Sequence, residues 1–114
     1  MATLFRLRDY RFKHKTIYFT RPELNQLLSL YSRKVASGEW RDYAIDHRDG
    51  VALFSVFRHT HDTALFTIMK LPVGSSRHGE YAVFSGRRRL EAGRSLGEVL
   101  AVFESRLKLV STAP

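Results

Sequence analysis

The tetrapeptide Arg48-Asp49-Gly50-Val51 constrains this chain more than any other stretch. Asp-Gly tolerates the positive φ angles of a two-residue type I′ turn, whose twist matches that of the strands it joins. With Asp49-Gly50 as the turn, Ile45 pairs with Phe54, Tyr43 with Val56 and His47 with Ala52, all on one face that we read as the core face. A slip of one residue would send that whole set to the other side. The second face gathers Asp42, Asp46, Arg48 and Ser55 but also Leu53 and Phe57, a mixed surface that asks for partial cover.

A helix is predicted immediately upstream. Thr20-Arg21-Pro22-Glu23 has the spacing of a capping box, Pro22 falls in the first turn where no intrahelical donor is lost, and Phe19 and Leu24 stand where a hydrophobic staple needs them. Leu24, Leu27, Leu28, Tyr31 and Val35 then recur at helical spacing, and Ser37-Gly38 supplies the stop. A second capping-box match, Ser95-Leu96-Gly97-Glu98, opens a stripe of Leu96, Val99, Leu100, Phe103, Leu107 and Val110.

Between the helices, Ala64–Leu71 is apolar on both parities and reads as a central strand, Leu65 and Met69 adding to the second face. The stretch 72–80 is loop-like, Tyr81–Ser85 is a further strand, and Arg87–Arg94 reads as a basic connection flanked by Gly86 and Gly93. Upstream of the first helix, residues 4–19 alternate cations with aromatics but change parity twice, which predicts a bulged strand or two short pieces. The expectation is an α+β fold: a single antiparallel sheet of four to five strands with two helices packed on one face. Residues 1–18 form a basic N-terminal strand or arm, 19–110 a single α+β domain and 111–114 a frayed tail.

With 114 residues and 44% hydrophobic content the chain suits one core and not full disorder. No run of 18 apolar residues occurs, and the first twenty lack the apolar stretch of a signal peptide. The absence of cysteine excludes disulfides, thiolate metal sites and Cys nucleophiles.

The block Glu23–Arg58, followed by the Tyr81–Gly86 strand and a C-terminal helix, resembles the domain-of-unknown-function family 2794 of alphaproteobacteria. Its most specific stretch is Gly38-Glu39-Trp40-Arg41-Asp42-Tyr43-Ala44-Ile45-Asp46-His47. The resemblance implies a cytoplasmic bacterial protein and brings no activity, ligand or catalytic residue with it. The order of helices and strands also invites comparison with double-stranded-RNA-binding domains. The chain departs from them in an extra strand and in Leu96-Gly97-Glu98, where a Lys cluster would open the second helix.

Charge is the strongest functional signal. The net charge is +8, and the excess sits in two segments. Arg6, Arg8, Arg11, Lys13, Lys15 and Arg21 oppose one acid, Asp9, while Lys70, Arg77, Arg87, Arg88, Arg89 and Arg94 oppose Glu80 and Glu91. Arg forks suit phosphate oxygens, and Tyr10, Phe12 and Tyr18 interleave with the first cluster as base-stacking surfaces do. The competing account is a solvated strand face with its aromatics turned inward.

Other chemistry is thinner. His59-Thr60-His61-Asp62 offers two imidazoles and a possible carboxylate to a metal, too few without a distant partner, and nothing pairs His14, His47 or His78 with them; a polar inter-strand turn is the better account. Asp42 and Asp46 lie about 13 Å apart along a strand, too far to share a proton, with Arg41 and Arg48 as ion-pair partners. Ser75-Ser76-Arg77-His78 is no triad by sequence adjacency alone. The reading is a small, basic, non-enzymatic module without cofactor. It associates with nucleic acid or another polyanion, or acts in regulation, through Arg6, Arg8, Arg11, Lys13, Lys15, Arg87, Arg88, Arg89 and Arg94. The alternative is a protein-interaction or homodimerising scaffold domain.

Overall fold

In the computed structural model, which describes residues 16–59 and 63–112 (without the side chains of 105–112), Asp49 and Gly50 take φ values of 54° and 78°. Two consecutive positive φ angles are the mark of a type I′ turn. The hairpin they close joins β1 (Asp42–Arg48) to β2 (Val51–Phe57) with Ile45 opposite Phe54, Tyr43 opposite Val56 and His47 opposite Ala52. β3 (Phe66–Lys70), β4 (Tyr81–Ser85) and β5 (Arg88–Gly93) extend the ladder in sequence order as an antiparallel meander. Helix α1 (Arg21–Ala36) precedes the sheet and α2 (Leu96–Thr112) follows it. The chain is thus an α+β fold with a single five-stranded antiparallel sheet. No helix among the described residues is long and apolar enough to cross a membrane.

Both helices pack on the face carrying Phe54, Val56, Ile68 and Val83. Phe54, Ile68 and Val83 stand in one cross-strand row and are fully buried, with Leu27 and Leu30 of α1 and Val99 and Phe103 of α2 in the same cluster. Trp40 closes one end of this core, edge-on to Phe103 at 5.3 Å between ring centroids.

The start of α1 follows the capping chemistry closely. The Thr20 hydroxyl accepts from the Glu23 amide at 3.3 Å and Glu23 Oε1 accepts from the Thr20 amide at 2.7 Å. Phe19 is buried and Leu24 packs against the core, as a staple requires. Gly38 takes φ 81° just beyond the Ser37 cap. At α2 the Ser95 hydroxyl accepts from the Glu98 amide at 3.2 Å.

Four expectations need correction. Arg87–Arg94 is not a connection: Arg88–Gly93 is β5, reached through a two-residue turn at Gly86-Arg87 in which only Gly86 has positive φ (60°), the sign pattern of a type II′ turn. An edge strand needs little apolar alternation, and a register shift between Val83 and Phe84 breaks what pattern there is. The α1 stripe is rotated: Leu30 and the aliphatic part of Lys34 are buried where Val35 was expected, and Val35 is exposed. Lys34 tolerates this because its ammonium reaches the Glu39 carboxylate at 3.4 Å. Leu65 packs against the helix-side core, not the second face. Tyr43, Ile45 and His47 have the expected parity but are exposed, because β1 is the edge farthest from α2, whose sheet contacts are with β4 and β5. Residues 16–20 carry no strand; the rest of the anticipated N-terminal strand, and Thr60-His61-Asp62, lie outside the described residues. So do the side chains of Leu107 and Val110.

Gly79, at φ 112°, lies so close to the Gly93 carbonyl that no Cβ fits between them. Phe54→Ala should cost about 3–5 kcal/mol of unfolding free energy by chemical denaturation. Val35→Ala, at an exposed position, should stay within about 0.5 kcal/mol of the parent.

Candidate polyanion-binding end of the sheet

The meander sorts its connections to two ends. The 49–50 turn, the 71–80 loop and the starts of both helices occupy one end; residues 37–41, 58–59, 63–65 and 86–87 occupy the other. Arg87, Arg88 and Arg89 therefore share that second end with Arg41, just before β1, and Arg58, just after β2. All five are exposed, and among the described residues none is in an ion pair. From β1 to β5 the row spans about 19 Å, four inter-strand spacings.

The geometry splits the expected basic segment. Arg87 sits in the turn, while Arg88 and Arg89 point to opposite faces of β5. Arg89 lies beside Phe84 on the face away from the helices. Arg94 lies beyond the far end of β5, in the sheet's other end region with Tyr81 and Lys70, and does not join the cluster. Arg6, Arg8, Arg11, Lys13 and Lys15 lie outside the described residues.

Arg41 and Arg58 are the additions that sequence reading missed. Of the two arginines expected to pair with Asp42 and Asp46, Arg48 reaches Asp46 at 3.1 Å and Arg41 pairs with neither. Arg41 is instead held by its backbone: its carbonyl accepts from the Tyr31 hydroxyl at 2.8 Å and its amide donates to the Phe57 carbonyl at 2.8 Å. A concavity of about 540 Å³ opens here, lined by Val35, Gly38, Trp40, Arg41, Arg58 and His59. The nearest acids are largely engaged. Glu39 accepts from the Ser37 hydroxyl at 2.7 Å and pairs with Lys34, and Glu104 pairs with Arg33 at 2.9 Å. The Ser37 hydrogen bond lowers the Glu39 pKa; burial opposes this, and the charges of Lys34 and Arg58 add to the lowering. Asp42 also stands at this end, half-buried.

One other cluster draws notice as possible chemistry. Glu23, Lys70 and Tyr81 meet in a half-buried group: Lys70 Nζ donates to Glu23 Oε1 at 2.8 Å and to the Tyr18 carbonyl at 2.9 Å, and the Tyr81 hydroxyl donates to Glu23 Oε2. Burial raises the Glu23 pKa. The hydrogen bonds from Lys70, Tyr81 and Thr20, with the Lys70 charge, outweigh it and hold the carboxyl below its ordinary value. Burial first, then the hydrogen bond and charge of Glu23, push Tyr81 up to about 12. Both carboxylate oxygens accept from protein donors, so the cluster fastens the capped start of α1 to β3 and β4.

Among the described residues no group of three or more His, Cys, Asp or Glu side chains could hold a metal ion; His61 and Asp62 lie outside them. In the 72–80 loop the His78 amide donates to Ser76 Oγ at 3.1 Å, a local turn contact.

A family model described as a protein of unknown function, DUF2794, matches residues 17–100. The chain belongs to the DUF2794 family. No curated protein and no solved structure matches it. In this DUF2794 protein the match runs from just before the α1 cap to the first turns of α2, so it takes in all five arginines of the sheet end.

The Glu23 group sets a pH signature. A carboxyl with lowered folded pKa contributes stability that is present above its unfolded value and lost as pH falls through the folded one. A phenol raised from 10.0 to about 12 contributes stability that is present below 10.0 and lost as pH climbs toward 12. Denaturation across pH should show both declines, and Tyr81→Phe should shrink the alkaline one, leaving the part that comes from Tyr31, whose phenol pKa is also raised by burial. Glu23→Ala should cost about 2–4 kcal/mol, more than the ~1 kcal/mol of a lost cap alone.

Proposed function

We propose that this protein binds a phosphate-rich polyanion, nucleic acid first among them, through the sheet end that carries Arg41, Arg58, Arg87, Arg88 and Arg89, and that it acts by binding and not by catalysis. The observation that supports this reading is that five exposed guanidiniums, gathered at one sheet end from two connections, a turn and the start of β5, have no ion-pair partner among the described residues. Unpaired arginines repel one another, and that cost is offset when phosphates neutralise them and release counterions. A duplex presents on the order of ten charges over the ~19 Å width of the row. Guanidinium forks also suit phosphate oxygens better than ammonium groups do.

The fold favours phosphate contact over base reading. Arg41, Arg58 and Arg87 lie next to strand ends and Arg88 and Arg89 begin β5, and Tyr31, Tyr43 and Trp40 nearby are held by intramolecular ring contacts. The Arg6–Lys15 segment adds to the same electrostatic attraction. Its aromatics, Tyr10 and Phe12, are the candidates for stacking on single strands.

Titration with duplex DNA, duplex RNA and single strands over a salt series tests the reading. Affinity should fall linearly in a log–log plot against salt, and each arginine changed to Gln at 41, 58, 87, 88 or 89 should reduce that slope by about 1 when its phosphate contact is lost. Arg33→Gln and Arg48→Gln, which remove already neutralised charges, should leave the slope near the parent value. No binding at low salt, or binding without salt dependence, contradicts the proposal.

A further inference from the structure

β1 is the exposed edge of the sheet, and the 49–50 turn fixes which of its backbone groups face outward. In a two-residue hairpin the residues flanking the turn form a hydrogen-bonded pair, here Arg48 and Val51. Alternation then makes Asp46–Leu53, Ala44–Ser55 and Asp42–Phe57 the other bonded pairs. The N–H and C=O groups of Tyr43, Ile45 and His47 therefore point away from β2. One observation agrees independently: the outward His47 amide is met by its neighbour's side chain, Asp46 Oδ1, at 2.9 Å.

Tyr43 and Ile45 are each 40% exposed, although they lie on the core-facing side of the strand. The free edge is thus bordered by apolar side chains that α1 covers only in part. Unprotected edges of this kind invite strand addition.

We propose that β1 pairs antiparallel with β1 of a second copy of this chain, about a two-fold axis that sets Ile45 opposite the partner copy's Ile45. The outward groups are centred on Ile45, so this register joins every one of them: Ile45 with Ile45, and Tyr43 with His47 in both directions. The His47 amide exchanges Asp46 for the Tyr43 carbonyl across the axis. On the other face, Asp42 then lies opposite Arg48, twice by symmetry, in non-bonded pairs where side chains approach most closely.

The alternative registers are penalised by the same residues. A two-residue shift one way sets Asp42 against Asp46; a shift the other way sets Asp46 against its own copy. Both place carboxylates directly opposite each other and leave outward groups unpaired. The acids of β1 therefore select one register of self-association, as a two-fold interface requires. Pairing along one strand edge buries less than a standard interface, so the dimer depends on concentration. The antiparallel axis turns the two arginine-bearing ends in opposite directions, and each copy meets its own stretch of polyanion.

Sedimentation velocity of the full chain over a wide concentration series tests this. The weight-average mass should climb from monomer toward dimer. Ile45→Pro removes an outward donor that β2 does not use, so the variant should keep its circular dichroism and remain monomeric throughout. Asp42→Arg should weaken dimerisation roughly tenfold, and Asp42→Arg combined with Arg48→Asp should restore it to near the parent value. The charge swap decides the matter even if the proline variant does not fold. A chain that stays monomeric, a dimer untouched by Ile45→Pro in a folded protein, or a swap that fails to rescue overturns the proposal. A monomer that dimerises only after residues 1–15 are removed also overturns it, since the chain's own N-terminal segment then holds the edge.

Discussion

The positive φ angles of Asp49 and Gly50 lock the β1–β2 ladder into one register, and in a meander every later strand inherits its parity from that ladder. Phe54 faces the helices because Ile45 opposes it; Ile68 and Val83 follow in the same row. Slipping the hairpin by one residue would turn Phe54 and Val56 outward and Leu53 and Ser55 inward. Arg41 and Arg58 would also lose their shared place at the sheet end. Core, cationic end and free edge all depend on this one turn.

Helix α1 meets that sheet through two kinds of interaction. Leu27 and Leu30 supply area, which is tolerant of small rotations. The Glu23 carboxylate supplies direction, because it takes the Thr20 amide from its own helix start while accepting from Lys70 and Tyr81 on β3 and β4. A residue that stops the helix from fraying is thereby the residue that orients it. The same contact draws Tyr18 to the sheet, where its ring meets His47 at 4.4 Å between centroids. Tyr18 therefore sits beside β1 near the 49–50 turn and not at the arginine-rich end.

Local chemistry made part of this readable from residues alone. The Asp-Gly turn and its pairings, the Thr20–Glu23 box and the two-helix, one-sheet layout each rest on short-range rules with steep penalties for alternatives. β5 escaped notice because Arg88, Arg89 and Glu91 carry no period-two apolar signal and Leu90 falls at the register shift. Lys34 escaped because burial of an aliphatic stem leaves no mark in a hydrophobic stripe. The cationic end was half-visible. Arg87–Arg89 stand out as a run, whereas Arg41 and Arg58 lie in a stretch, residues 22–69, whose acids cancel its bases. Only the fold reveals that three of those acids are engaged elsewhere, Glu39 with Lys34, Asp46 with Arg48 and Glu23 with Lys70.

The proposed binding surface joins Arg41 and Arg58 to Arg87 of the β4–β5 turn and to Arg88 and Arg89 at the start of β5. Side-chain Nε–Hε resonances in an isotope-labelled sample, followed while a short single-stranded oligonucleotide is added at low salt, report on each guanidinium separately. The account predicts that Arg41, Arg58, Arg87, Arg88 and Arg89 shift together along one binding curve, with Arg33 and Arg48 unmoved. Shifts confined to Arg94 or to the ion-paired arginines, or five curves with unrelated midpoints, would contradict it.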